Sequence, residues 1–292
     1  MNPVQLHALS DLHVGFGINR AALADFVPRP DDWLILGGDL GETGDHLRAV
    51  FDALAPKFRQ LVWVPGNHEL WTSREDGELL GGEAKYAHLV DICRAHGVLT
   101  PEDPYPVWTG EGGPHRLVPM FLLWDRSMRP ADVAEADALA WAAADGVVSA
   151  DEFRLDPAPH PTVPAWCAAR LASTAARLDA ALAEADLPTI LINHWPLRED
   201  LIYLPKLPRY TPWCGTRATH DWHRRYRASV VVTGHLHTRR TDWIDGVRFE
   251  EVSLGYPRHW RQELGVDSHI RTVLPEQPDN HALLRHIGRR HE

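Results

Sequence analysis

The 292-residue sequence has few cysteines and no long apolar run. Its three cysteines, Cys93, Cys167 and Cys214, are widely spaced and form no CxxC pair. This pattern excludes a disulfide framework and a closed zinc site built on thiolates, and it favours buried, idle thiols. No stretch approaches the ~18 uninterrupted apolar residues of a membrane helix. We therefore expect a globular protein without a membrane partner.

Basic charge is also scarce. The chain has 30 Lys and Arg against 40 Asp and Glu, a formal net charge of −10. This balance disfavours a nucleic-acid binder. The segment 198–261 departs from it, with 12 basic and 7 acidic side chains. The N-terminus lacks the basic and apolar regions of a secretory signal, so we expect a cytoplasmic protein.

The order of apolar runs predicts an α/β fold with helices on the sheet faces, because strand-like and helix-like segments alternate. We expect one domain over 1–275 and a peripheral tail over 276–292. Two irregular segments, 127–163 and 196–215, are predicted insertions that cover a site. A hairpin over 238–255 is expected to turn at Asp245 and Gly246. The predicted strands are 4–9, 33–36, 60–64, 116–125, 189–193 and 229–234, and the predicted helices are 46–54, 83–97 and 164–186.

Side chains able to bind metal follow five of these strands. In open α/β sheets, ligands bind beyond the carboxyl ends of the strands. We therefore expect these side chains to meet at one edge. If the chain stays extended after the last of these strands, the two histidines that follow it share one face. The residues are Asp11, His13, Asp39, Asn67, His68, His194, His235 and His237.

Each fragment taken alone has an ordinary interpretation. Asn67 is typical of a turn or a cap, His194 of a structural histidine, and His235 with His237 of a solvated loop. Five such fragments in order, each after an apolar run, favour a common site. Mixed imidazole nitrogen and carboxylate or amide oxygen suits Mn, Fe or Zn better than Ca. Eight side chains exceed the needs of one ion and suit two.

The ordered set D-x-H, G-D, G-N-H-E, a lone His and G-H-x-H resembles the calcineurin-like metallophosphoesterase superfamily, over residues 4–256. The resemblance implies a β-sandwich flanked by helices, with a dinuclear metal site at the strand C-terminal ends. It also implies two divalent ions, Mn and/or Fe with Zn possible, and attack of a metal-bridging hydroxide on a phosphoester. By the family pattern, one ion is held by Asp11, His13, Asp39 and His237, and the second by Asp39, Asn67, His194 and His235.

The same pattern gives His68 a different role. It implies that His68 contacts the phosphoryl group and assists the leaving group without binding metal. Further phrases, among them "WVPGNHELWT" and "DGVRFEEVSLGYPRHWR", are similar to the phosphopantetheinyl hydrolases of actinobacteria. This closer resemblance implies removal of 4′-phosphopantetheine from the serine of holo acyl or peptidyl carrier proteins.

Carrier proteins of this type are usually acidic, so the basic segment 198–261 is expected to bind them by charge complementarity. We expect arginines there to rim the site, with Arg239 and Arg217 as substrate contacts. Trp195 is a candidate wall for the pantetheine arm. The alternatives are that these arginines pair with nearby acids and that the tryptophan belongs to the core.

Three other functions stay open at this point. The first is a phosphatase or cyclic nucleotide phosphodiesterase acting on a small substrate, since the metal motifs do not select the substrate. The second is a scaffold that keeps the fold without catalysis, which the complete set of motif residues disfavours. The third is a DNA repair nuclease, which the net charge disfavours.

Overall fold

The computed structural model describes residues 4–72 and 79–276, and within them two β-sheets pack face to face. The first sheet has the order β10-β1-β2-β3, in which β1, β2 and β3 are parallel and β10 is antiparallel to β1. Its strands are β1 (Leu6–Leu9), β2 (Arg29–Leu36), β3 (Phe58–Trp63) and β10 (Arg271–Leu274).

The second sheet has six strands in the order β4-β5-β6-β7-β9-β8. Its four central strands are parallel, and the edge strands β4 and β8 are antiparallel to their neighbours. The strands are β4 (Val107–Trp108), β5 (His115–Pro119), β6 (Thr189–Ile192), β7 (Ala228–Thr233), β8 (Thr241–Ile244) and β9 (Val247–Glu251). The two sheets confirm the β-sandwich that the resemblance implied.

Alternation along the strands explains how the layers pack. In β2, Ile35 faces the core between the sheets, whereas Leu34 and Leu36 face the helices outside. Because both faces of the parallel strands are covered, the strands read as nearly continuous apolar runs. The helices are α1 (Gly17–Ala22), α2 (Gly44–Leu54), α3 (Asn67–Leu70), α4 (Gly82–Ala95), α5 (Ala138–Ala143), α6 (Asp151–Arg154), α7 (Val163–Glu184) and α8 (Trp222–Arg225).

Most predicted elements are confirmed, with one shortened. The 164–186 prediction is α7, whose N-cap Thr162 accepts a bond from the Ala165 N–H at 3.2 Å. The 238–255 hairpin is β8 and β9, with both turn residues at positive φ, 53° at Asp245 and 76° at Gly246. The strand predicted over 116–125 is wrong beyond Pro119, where the chain leaves the sheet.

The two predicted insertions hold short helical pieces rather than long ordered elements, and they contact each other. Arg209 of 196–215 donates to the Trp141 carbonyl of 127–163 at 2.6 Å, and its guanidinium lies 5.0 Å from that indole centroid. Their role as a cover and the domain boundary at 275 stay predictions. Nearly all of the predicted tail, 277–292, lies outside the described residues. Among the described residues, no helix is long and apolar enough to span a membrane.

Candidate metal centre

The eight predicted side chains converge at one end of the sandwich, in the segments that follow β1, β2, β3, β6 and β7. Asp11 and His194 are 0% exposed and Asp39 is 2% exposed, so both carboxylates are buried. Three overlapping groups among the described residues have ligand atoms within 4.8 Å of one another. They are Asp11, His13 and His237; His13, Asp39 and His68; and Asp11, Asp39 and His194.

One half of the centre is built around Asp11. Its Oδ1 lies 2.9 Å from His237 Nε2 and 3.8 Å from His13 Nε2. These two imidazole nitrogens are themselves 3.2 Å apart. The Oγ atoms of Ser10 and Ser253 donate to Asp11 Oδ2, at 2.5 and 2.8 Å, and so fix the carboxylate plane. These two imidazole nitrogens and the Asp11 oxygen face one point, where they could together bind a cation.

The other half is built around Asn67. Its Oδ1 lies 3.3 Å from His194 Nε2 and 3.2 Å from His235 Nδ1. His194 Nδ1 lies 2.8 Å from the Gly37 carbonyl. Its N–H donates there, which leaves the Nε2 lone pair facing the centre. Asp39 Oδ2, 3.5 Å from His194 Nε2, lies between the halves.

The charges of this cluster also fit divalent cations. Burial disfavours a charged imidazole at His194, but Asp39 and Asp11 outweigh it and raise the pKa of His194 to about 10. At Asp11, burial opposes ionisation, and His237 and His194 nevertheless hold the pKa of its carboxyl well below the ordinary value. Two buried carboxylates thus demand positive charge, which divalent ions would supply.

The backbone is left-handed at five of the predicted ligands. Asp11, His13, Asp39, His235 and His237 have φ of 56°, 44°, 54°, 73° and 53°. Asp and His tolerate this region better than most residues, at a cost of about 1–3 kcal/mol each. The expectation that the chain stays extended through the last two histidines is therefore wrong. β7 ends at Thr233, and turns direct one imidazole to each half.

Glu69 is a structural residue of the centre that the sequence motifs contain but did not explain. It is 0% exposed and accepts bonds from the N–H groups of Asp39, Leu40 and Gly66, at 2.8, 2.7 and 2.9 Å. Burial and the charge of Asp39 raise its pKa to about 7. Glu69 thereby ties the loop after β2 to the turn after β3.

Gly38 lies where these two loops touch. Its φ is +89°, and an added Cβ would lie 2.6 Å from the Gly66 nitrogen and 2.7 Å from His194 Nδ1. We expect Gly38→Ala to lower the free energy of unfolding by more than the roughly 1–2 kcal/mol of left-handed strain alone. Gly97→Ala is the matched control, because its φ is +69° with nothing within 4 Å. Chemical denaturation of both variants checks this, and equal losses would contradict it.

Several residues beside the centre were missed. The Tyr256 ring lies 4.6 Å from that of His13 and 4.9 Å from that of His237, and His259 Nδ1 lies 2.9 Å from His237 Nδ1. Asp151 accepts a bond from the Asn67 amide at 3.0 Å. The phrase "GYPRHW" was visible in the sequence, but nothing in its spacing indicated contact with the motif histidines.

His68 and Trp195 are both buried beside the centre, at 8% and 0% exposed. His68 Nε2 lies 3.9 Å from Asp39 Oδ2, and its Nδ1 faces Glu42 Oε1 at 3.5 Å. Trp195 is 0% exposed, with its ring 5.0 Å from His194 and 5.9 Å from His235. In this structure the Trp195 ring packs against two candidate ligands, His194 and His235. Its contact with substrate stays a prediction.

The two predicted arginines are bonded to the protein itself. Arg217 pairs with Glu199 through Nε, at 2.6 Å, and Nη2, at 2.8 Å. Arg239 donates to the carbonyls of Ser253 and His269, which holds the loop after β9 against the loop before β10. Either arginine would have to give up these bonds to reach a substrate, so their substrate contacts stay predictions.

Comparison with known proteins agrees with the geometry. The model of the calcineurin-like phosphoesterase family matches residues 5–239. The acyl-carrier-protein phosphodiesterase PptH of Mycobacterium tuberculosis is 48% identical over 275 residues, which cover 93% of this chain and 83% of that protein. A crystal structure of phosphopantetheinyl hydrolase (PptH) from the same organism matches with a TM-score of 0.87 at 47% identity, over 94% of this chain and 97% of the crystallised chain. The chain therefore belongs to the calcineurin-like phosphoesterase family.

Proposed function

We propose that this protein is a metal-dependent phosphodiesterase that removes 4′-phosphopantetheine from the serine of holo carrier proteins. The main support is the buried His, Asp and Asn cluster in a chain 48% identical to an acyl-carrier-protein phosphodiesterase. Divalent ions bound there would neutralise the charge of the phosphodiester and activate water at neutral pH.

The ligand assignment follows the two halves of the centre. We assign Asp11, His13 and His237 to one ion, and Asn67, His194 and His235 to the other, with Asp39 shared. The distances of 2.9 to 4.0 Å among their donor atoms support it. A donor set of imidazole nitrogens and carboxylate or amide oxygens suits Mn or Fe, with Zn as a possible substitute.

His68 is assigned a role in proton transfer. Its Nδ1 is directed at Glu42 and its Nε2 lies at the edge of the centre. The Trp71 ring packs against it with 3.8 Å between centroids. These contacts hold the imidazole where it would donate a proton to the departing serine oxygen. An alkoxide is a poor leaving group, so a positioned acid lowers the barrier.

The function is tested by intact mass. Purified protein loaded with Mn²⁺ is incubated with holo acyl and peptidyl carrier proteins, and we expect each substrate to lose one phosphopantetheinyl group. A chelator should stop the reaction, and added Mn²⁺ should restore it. Parallel assays use cyclic AMP, nitrophenyl phosphodiesters and phosphomonoesters.

Each outcome of these assays has a distinct meaning. If holo carrier proteins keep their arms while a small ester is hydrolysed, the substrate assignment is wrong and a small-substrate phosphatase or phosphodiesterase replaces it. If metal-loaded protein hydrolyses none of these esters, the catalytic proposal fails altogether.

Two exposed arginines lie over aromatic rings that contact histidines of the centre. The Arg258 guanidinium is 5.2 Å from the Tyr256 centroid, and that of Arg154 is 4.7 Å from the Trp71 centroid. We propose these arginines, together with the basic segment, as contacts for an acidic carrier protein. Their position beside the centre supports this.

We expect Arg258→Ala to raise KM for holo carrier protein about two- to fivefold, the size of an exposed ion pair. Turnover of a nitrophenyl phosphodiester should stay unchanged, and the effect should shrink at high salt. Arg94→Ala is the control, since Arg94 lies outside the basic segment, is exposed and pairs with Asp103 at 3.1 Å. Steady-state kinetics at two ionic strengths measure this, and an equal rise in KM for both substrates would contradict it.

A further inference from the structure

Asp151 is a buried carboxylate that no metal-ligand motif contains. It begins α6 in the segment 127–163 and is 1% exposed. Its Oδ1 accepts bonds from Asn67 Nδ2 at 3.0 Å and Trp71 Nε1 at 2.7 Å, and its Oδ2 accepts one from Ser149 Oγ at 2.9 Å. Both oxygens therefore act as acceptors.

These bonds determine which way the Asn67 amide faces. An amide has one acceptor oxygen and one NH₂ donor, and an ionised carboxylate only accepts. With its NH₂ group on Asp151, Asn67 must direct Oδ1 at His194 Nε2 and His235 Nδ1, which lie 3.3 and 3.2 Å away. A rotated amide would present NH₂ to the same point, and NH₂ does not bind a cation.

We infer that Asp151 is a positioning residue for the metal centre, which holds the Asn67 carbonyl oxygen in the orientation that binds a divalent ion. This inference rests on the proposed assignment of Asn67 as a ligand. Groups that orient metal ligands typically alter metal affinity or activity roughly 10–100-fold when they are removed. The segment 127–163 thus contributes to metal binding without supplying a ligand of its own.

Other contacts hold α6 in place without this carboxylate. The Thr72 N–H donates to the Arg154 carbonyl at 2.7 Å, and Trp71 and Leu155 form an isolated β-bridge. Burial raises the pKa of the Asp151 carboxyl, and the bonds from Trp71, Asn67 and Ser149 oppose that rise. Because backbone bonds anchor α6, we expect Asp151 variants to fold.

Manganese affinity of the metal-free protein is the primary measurement, by isothermal titration or equilibrium dialysis. Asp151→Ala should weaken binding of one of two ions roughly 10–100-fold, and Asp151→Asn should weaken it less. Glu152→Gln is the matched control on the same helix. Glu152 pairs with Arg126 at 3.0 Å and accepts from Trp213 Nε1 at 2.7 Å, away from Asn67. Thermal unfolding of metal-free protein verifies that each variant is folded.

A second pair of variants separates positioning from mere structural support. In an Asn67→Asp background, the Asp151 carboxylate faces another carboxylate and repels it, whereas an asparagine at 151 donates an N–H to it. Asp151→Asn should therefore weaken manganese binding in the native background and strengthen it in the Asn67→Asp background. A purely structural role predicts a change of the same sign in both.

The inference is overturned if Asp151→Asn changes affinity in the same direction in both backgrounds, or if Asp151→Ala binds two ions like the native protein. Failure of the proposed function is a separate result. In that case native protein with two bound ions leaves holo carrier proteins intact, while the reversal of sign at position 151 is still observed.

Discussion

Asp39→Asn should abolish phosphodiesterase turnover, with a loss of about 10³-fold or more in kcat, because several kcal/mol of charge stabilisation depend on the metal centre. Asp39 Oδ2 lies 3.5, 3.9 and 4.0 Å from the Nε2 atoms of His194, His68 and His13. Its Oδ1 accepts the His68 N–H at 2.9 Å, a bond that the amide oxygen of asparagine preserves. The substitution therefore removes charge with little change of shape.

Metal content and kcat on a holo carrier protein check this result together. The variant should keep its fold in the metal-free state, and after loading with Mn²⁺ it should hold fewer than two ions per chain. Asp45→Asn is the control, since that side chain is 84% exposed and pairs only with Arg48 among the described residues. Native metal content with native turnover in Asp39→Asn would show that Asp39 is not the shared ligand.

His68→Ala should lower kcat on holo carrier protein roughly 10²–10⁴-fold, the usual contribution of a positioned general acid. The loss should be much smaller on a nitrophenyl phosphodiester, whose leaving group departs without protonation. Metal content should stay at the native level, since the proposal does not make His68 a ligand. The ratio of the two kcat losses is the measurement that carries the assignment.

The same measurements test whether His68 is a metal ligand instead of an acid. His68 is grouped with His13 and Asp39 as atoms able to hold an ion. Loss of bound metal together with equal kcat losses on both substrates would make His68 a ligand instead of an acid. His160→Ala serves as control, because His160 pairs with Glu83 at 2.9 Å and belongs to none of the three groups.

The convergence of the motif residues was predictable because each follows an apolar run. Parallel strands end at the same edge, so residues distant in sequence, such as Asp11 and His194, had to approach each other. The sandwich was not predictable from periodicity alone, which indicated helices on one sheet. It required the family resemblance, which the comparisons confirmed.

Orientation within the loops was beyond sequence reasoning. An extended chain was expected to place His235 and His237 on one face, whereas their left-handed backbone separates them. The same turn leads Arg239, at φ 41°, toward the carbonyls of Ser253 and His269 instead of toward solvent. A single residue in the left-handed region changes the direction of the chain after it. The amino-acid composition does not show which residues adopt this conformation.

The residues that form hydrogen bonds with the ligands and their loops were also not predictable from the sequence. Asp151 lies 84 positions after Asn67 in a segment without regular periodicity, so no spacing connects the two residues. Glu69 lies inside the G-N-H-E motif, yet its three bonds to backbone N–H groups depend on how two loops meet. Such residues emerge only when tertiary contacts are known.

The strand order has a practical consequence for fragments of this protein. The family match ends at residue 239, but β9 separates β7 from β8, and β10 covers the outer side of β1. A fragment cut at that boundary would leave β1 and β7 as open edges, with unpaired N–H and C=O groups ready to recruit another chain. We expect such a fragment to aggregate, because β8, β9 and β10, which all follow residue 239, close both sheets that carry the ligand-bearing loops.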